Sequence, residues 1–163
     1  MTDTPRFTIT RRFDAPVARL WSAWTDPAQL AIWFGPKGST GQILAFYLRP
    51  GGEWRGRMEA PDGSVMFSKF VFQTIDPMHR LVWVHGFADA DGNRVRAPFA
   101  PLFPLEMLTT VIFKEEAGGT RIDLSWEPID ATAEECAFFA EMMASMHGGW
   151  TGSFDQLDEF LAG

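Results

Sequence analysis

Three histidines and one cysteine are the side chains best suited to proton transfer, nucleophilic attack or metal ligation, and their spacing limits what they can do. His79 follows Asp76-Pro77-Met78 in a turn, His85 lies in Trp83-Val84-His85-Gly86-Phe87, and His147 precedes Gly148-Gly149-Trp150. Zinc sites recruit their ligands in closely spaced pairs. No such pair occurs here, and the solitary Cys136 excludes an internal disulfide and a four-cysteine cluster. No metal or other cofactor is expected. The chain also lacks a nucleophile elbow, a phosphate-cradling glycine loop and a catalytic cysteine motif. Glu106 and Glu127 could act as acid–base groups if burial raised their pKa, but nothing in the pattern singles them out. The residues favour binding over catalysis, with no catalytic residue assigned.

The chemistry that remains is recognition by rings and thioethers with a few polar points. Trp83, His85 and Phe87 share one face of a regular strand, which makes His85 the best polar group for the interior of an apolar pocket. The elements that would position it follow from hydrophobic period. Phe7, Ile9 and Phe13 alternate with Thr8, Thr10 and Arg12 as a first strand. Asp14 can cap the next element, Pro16 suits a first helical turn, and Val17, Leu20, Trp21 and Trp24 recur at helical spacing until Asp26-Pro27. A second short helix spans about Pro27 to Trp33, broken by Gly35-Pro36-Lys37-Gly38. Strands follow over about Gln42–Leu48, Glu53–Ala60, Ser64–Ile75, Arg80–Phe87, Met107–Lys114 and Thr120–Pro128.

Turn chemistry predicts the register. A two-residue loop at Gly118-Gly119 sets Ala117 against Thr120 and puts Val111 and Phe113 opposite Trp126 and Leu124, all on one face with Ile122. The same reasoning at Asp62-Gly63 groups Trp54 and Met58 with Val71 and Phe67. A single β-bulge would instead turn Phe70 and Phe72 inward. Thr132-Ala133-Glu134-Glu135 is a capping box, after which Phe139, Met142, Met143, Met146, Trp150, Phe154 and Leu157 keep three-and-four spacing. One long helix over Ala133 to Leu161 is expected, with any kink at Gly148-Gly149 or Gly152. A sheet wrapped on such a helix encloses a space walled by Trp54, Met58, Phe67, Val71, Trp83, His85, Thr109, Val111, Trp126, Met142, Met143, Met146 and Trp150. A mostly apolar wall with few polar points suits a small hydrophobic or amphipathic molecule.

The connection from Ala88 to Glu106 is unusually long and carries Pro98, Pro101 and Pro104 among Phe99, Leu102 and Phe103. An apolar, proline-stiffened loop needs cover. It is expected across an open end of the cleft, as a lid or as a homodimer contact.

Composition narrows the partners. A net charge of −7 opposes a phosphate backbone, so nucleic acid is not an expected partner. Arg55 and Arg57 alternate with Glu53 and Glu59 as a charge-balanced face. No segment approaches the length of a membrane span, and the Met1-Thr2-Asp3-Thr4-Pro5 start has no signal-peptide pattern. A cytoplasmic protein of one domain over residues 1–163, without membrane insertion, is expected.

The residues Phe13-Asp14-Ala15-Pro16-Val17, Trp21, Trp24-Thr25-Asp26-Pro27, Trp33-Phe34-Gly35-Pro36-Lys37-Gly38, Arg49-Pro50-Gly51-Gly52, Gly118-Gly119-Thr120 and Gly148-Gly149-Trp150 together resemble the START-like superfamily. Within it they resemble the heat shock protein 90 ATPase activator homologues, from about Phe7 to Leu161. The resemblance implies an α+β helix-grip fold: about seven antiparallel strands curved around a long C-terminal helix, two short helices after the first strand, and a ligand cavity between sheet and helix. It implies two alternatives as well, a module that stimulates a chaperone ATPase and a cyclase or hydrolase using the same cavity. The eukaryotic activator carries a further N-terminal domain for chaperone contact, whereas the START-like part here begins within about the first ten residues, which argues against a chaperone partner. Tyr47 stands where the family commonly has Asp in its Asp-Leu-Arg-Pro-Gly-Gly segment, which removes any salt bridge built on that carboxylate.

Overall fold

The computed structural model describes residues 4–35 and 38–163. Met1, Thr2 and Asp3 of the N-terminal stretch, and Pro36 and Lys37 of the break after the second helix, lie outside the described residues. Among the described residues, seven strands and four helices follow in the order β1 Phe7–Phe13, α1 Val17–Thr25, α2 Pro27–Trp33, β2 Thr40–Phe46, β3 Glu53–Glu59, β4 Val65–Asp76, β5 Arg80–Ala88, β6 Met107–Glu116, β7 Gly119–Pro128, α3 Ala133–Glu141 and α4 Met143–Ala162. The strands form one antiparallel sheet, ordered β1-β7-β6-β5-β4-β3-β2. From β2 to β7 the chain is a meander, and β1 closes it by pairing with β7. The architecture is α+β with a helix-grip arrangement, and both short helices follow the first strand.

Local chemistry explains the element ends. The Asp26 side chain accepts the amide of Ala28 at 3.0 Å, with Pro27 at the first position of α2. Asp14 does not cap α1, because Pro16 occupies the cap position and Asp14 turns to Arg12 at 2.5 Å. At α3, Thr132 Oγ1 accepts the amide of Glu135 at 3.1 Å, and the Glu135 carboxylate accepts the amide of Thr132 at 3.0 Å. This reciprocal pair is the expected capping box.

Both expected hairpin registers need correction. Ala60 pairs with Ser64 across Pro61-Asp62-Gly63, and Gly63 has φ 88. A three-residue turn with a left-handed glycine shifts the pairing by one residue relative to a two-residue loop. Trp54 therefore faces Phe70 and Met58 faces Met66. Phe67 and Val71 do not join Trp54 and Met58 on the inner face, and Phe70 and Phe72 take their places. At the second hairpin the loop is Ala117-Gly118, with φ 77 at Gly118, and Glu116 pairs with Gly119. This moves Val111 opposite Leu124 and Phe113 opposite Ile122. The displacement is two residues, so every side chain keeps its face.

The C-terminal helix is divided, but not at its glycines. The amide of Met142 reaches both Phe138 O and Phe139 O at 3.1 Å, a tightened turn that separates α3 from α4. Gly148, Gly149 and Gly152 lie within the continuous α4. Burial of Met146, Trp150, Phe154 and Leu157 against the sheet outweighs their weak helical preference, about 1 kcal/mol per glycine. No helix among the described residues is long and apolar enough to cross a membrane.

Candidate ligand-binding cavity

The core is solid on one side of the molecule and hollow on the other. Around α1 and α2, rings interlock: Trp24 meets Trp33 at 4.8 Å and stacks on Trp150 at 6.1 Å, and Trp33 Nε1 donates to Ala23 O at 2.8 Å. Between the inner face of the sheet and α4 lies a cavity of about 240 Å³. Met58 of β3, Met66, Ser68 and Phe70 of β4, His85, Gly86 and Phe87 of β5, Met107 of β6 and Trp126 of β7 form one wall. Met146, Gly149, Trp150 and Ser153 of α4 form the other, with Phe34 and Gly35 after α2 and Phe103 from the long loop. No charged side chain occurs among the described residues of the wall. An adjoining recess of about 50 Å³ shares Phe34, Met58, Ser68 and Phe70 and adds Trp54. Gly149 and Met66 are the exposed members of the wall, so the mouth lies between the middle of α4 and the β3–β4 hairpin.

Of the residues expected to enclose this space, Met58, His85, Trp126, Met146 and Trp150 line it. Trp54 borders the recess and stacks on Phe70 with centroids 3.8 Å apart. Trp83, Thr109 and Val111 face the same way but are sealed in the solid part of the core. Met142 and Met143 pack half-buried against the core, outside the wall, because the break at Met142 changes the helical phase. Phe67 and Val71 are absent from it for the register reason given above. In the loop, Phe103 lines the cavity and packs on Phe138 and Phe139 of α3. Phe99 touches Phe87 edge-on yet is 64% exposed, and Leu102 is 45% exposed.

Sequence reasoning missed Phe34, Met66, Ser68, Phe70, Phe87, Met107, Gly149 and Ser153 as wall residues. Ser68 and Phe70 were reachable through the bulged register, and Met107 through its pairing with His85. Gly149 had no such signal, because what it contributes is an absent side chain. A Cβ there would meet nothing within 4 Å.

His85 is the most constrained polar group of the wall. It is 7% exposed, stacks on Phe70 at 5.4 Å and lies 5.1 Å from the Trp126 ring. Burial, assisted by the nearby Arg94 guanidinium, pushes its pKa down to about 3, so the imidazole is neutral at physiological pH. Arg94 is itself held by Glu106 and by Lys69 O. His85 Nε2 and Trp126 Nε1 are both shielded from solvent and have no hydrogen-bond partner among the described residues. On the α4 side, Ser153 Oγ and Gln156 Nε2 donate to Gly35 O at 2.7 and 2.8 Å, fixing the segment after α2 against the helix.

The α+β sheet grips the C-terminal helix around an apolar hollow. The model of the family described as Activator of Hsp90 ATPase homolog 1-like protein matches residues 14–162, and the chain belongs to that family. The structure is similar to protein Ms6760 from Mycobacterium smegmatis, with TM-score 0.78 and 30% identity over 98% of this chain and 96% of that one. It is similar to a protein from Arthrobacter aurescens, with TM-score 0.79 and 30% identity over 96% of this chain and 86% of that one. An AHSA1 protein from Silicibacter pomeroyi has the same fold, with TM-score 0.75 and 22% identity over 97% of this chain and 98% of that one. No curated protein matches the chain.

Proposed function

We propose that the protein binds a small hydrophobic or amphipathic molecule in the cavity between the sheet and α4. The observation that carries this reading is the cavity itself, about 240 Å³ in volume and walled by aromatic rings and methionines. An engineered apolar cavity of about 150 Å³ in another protein suffices for benzene. A packed core leaves few voids larger than a water molecule, so a hollow of this size beside an otherwise dense interior needs a purpose. Met58, Met66, Met107 and Met146 can re-pack around ligands of different shape. The mechanism is capture and shielding from water. Nothing observed favours a chaperone partner, a homodimer or a catalytic use of the same cavity over it.

The test is binding of neutral N-phenylnaphthylamine, whose fluorescence rises in apolar surroundings. Wild type should bind it and release it to medium-chain alcohols. Gly149→Leu should abolish binding without unfolding the protein, because the new side chain enters open space. Exclusion of the dye by the folded wild type would refute the container reading.

A further inference from the structure

Among the described residues of the cavity wall, the side chains that carry nitrogen or oxygen are Ser68, His85, Trp126 and Ser153. His85 Nε2 and Trp126 Nε1 are sealed among rings, and Ser153 gives its proton to Gly35 O at 2.7 Å. Ser68 differs from all three. It is half-buried, its Oγ stays open to solvent, and the hydroxyl has no hydrogen-bond partner among the described residues. Alternation along β4 puts it on the same face as Met66 and Phe70, which line the cavity with it. Its neighbours across the ladders are Gly56, which has no side chain to cover it, and Phe87. Ser68 borders both the cavity and the adjoining recess, so its hydroxyl stands where the two spaces meet.

We infer that Ser68 determines the class of ligand: a neutral molecule whose apolar body fills the cavity and whose carbonyl or hydroxyl oxygen meets Ser68 Oγ. This rests on the container reading above and adds the residue that sets specificity. An occupant excludes solvent from the hydroxyl, and one without an oxygen leaves it unpaired in an apolar space. A serine hydroxyl donates one proton and accepts at two lone pairs, so it serves a carbonyl oxygen as donor and a ligand hydroxyl in either sense. The cavity wall has no charged side chain among the described residues, so a carboxylate head would be desolvated without a counter-ion. Arg57, which borders the recess, is already paired with Glu59 at 3.6 Å. The recess of about 50 Å³ exceeds the roughly 10–15 Å³ that one water requires, which leaves room for a small neutral head beside Ser68.

The experiment compares acetophenone, 1-phenylethanol, isopropylbenzene and benzoate by displacement of N-phenylnaphthylamine from the full chain. The first three are close in size and shape and differ in the head, and the fourth is charged. Wild type should bind acetophenone and 1-phenylethanol and discriminate strongly against benzoate. Ser68→Ala removes only the hydroxyl; it should weaken both oxygen-bearing probes about fivefold while leaving isopropylbenzene within about twofold. A readout that needs no variant is the infrared carbonyl band of acetophenone bound to wild type, which should lie below its position in hexane. Equal changes for the three neutral probes in Ser68→Ala, benzoate binding as tightly as acetophenone, or a carbonyl band at its hexane position would overturn the Ser68 assignment while the container reading survives on dye binding. Failure of the dye and all four probes to bind wild type would overturn both.

Discussion

His85 shows how one residue couples the cavity to the stability of the whole chain. An unfolded histidine takes up its proton near pH 6.5, whereas folded His85 does so at about 3. Between those values the unfolded chain holds a proton that the folded chain lacks. The stabilisation is complete above about pH 6.5 and is lost as pH falls toward 3, by about 1.4 kcal/mol per unit. His85→Phe should remove this dependence. Urea unfolding at about pH 7 and about pH 5 measures it, and wild type should lose roughly 2 kcal/mol more than the variant over that interval. Equal losses would mean that the imidazole is solvated in the folded protein.

At the scale of elements, α3 and α4 invite opposite changes. Thr132→Ala removes the capping box and should cost about 1 kcal/mol. The Glu135 carboxyl should stay below its ordinary value, since the largest cause of its depression is the bond from the backbone amide of residue 132, which alanine retains. Gly149→Ala should stabilise α4 by up to about 1 kcal/mol, because its Cβ enters open space and alanine favours a helix. Thermal melts of the two variants check both signs. A destabilised Gly149→Ala would place packed atoms where the mouth is drawn.

These elements were largely legible in the sequence because each is written in a local period. The strands from Phe7, Glu53, Arg80 and Met107 begin where alternation begins, and Thr132 marks the start of α3. Register was harder: Asp62-Gly63 announces a turn, but whether Ala60 or Pro61 faces Ser64 depends on one extra residue, and that residue decides between Phe67 and Phe70 as wall. The helix break at Met142 was hidden, because methionine favours helix and the glycines nearby seemed the weaker link. Thr109 and Trp83 show the remaining limit. Which face a residue takes follows from alternation, whereas whether that face meets a void or another side chain depends on distant elements.

For the molecule as a whole, the long loop has two unlike halves. Backbone pairing of Val95 with Phe87 ties it to β5 and the ion pair Arg96–Glu135 ties it to α3, while Arg94–Glu106 links two parts of the loop itself. Phe103 then lines the cavity, while Phe99 faces solvent. Phe103→Ser should cost about 2 kcal/mol and speed dye release at unaltered sedimentation. Phe99→Ser should change stability by no more than about 0.5 kcal/mol. Stopped-flow release and analytical ultracentrifugation distinguish the roles: a lower sedimentation coefficient in Phe99→Ser would make the loop a subunit contact instead.

The adjacency of β1 and β7 sets a timetable for synthesis. Every other strand pairs with its immediate successor and can zip up as a hairpin while the ribosome is still translating. β1 cannot, because Thr10 meets Asp123 across 113 positions of sequence. Until β7 emerges, Phe7, Ile9 and Phe13 have no neighbouring strand, whereas Trp21 and Trp24 of α1 can already pack on Phe113 of β6. The first strand is thus the longest unpaired on the nascent chain, where unpaired strands are most prone to aggregate.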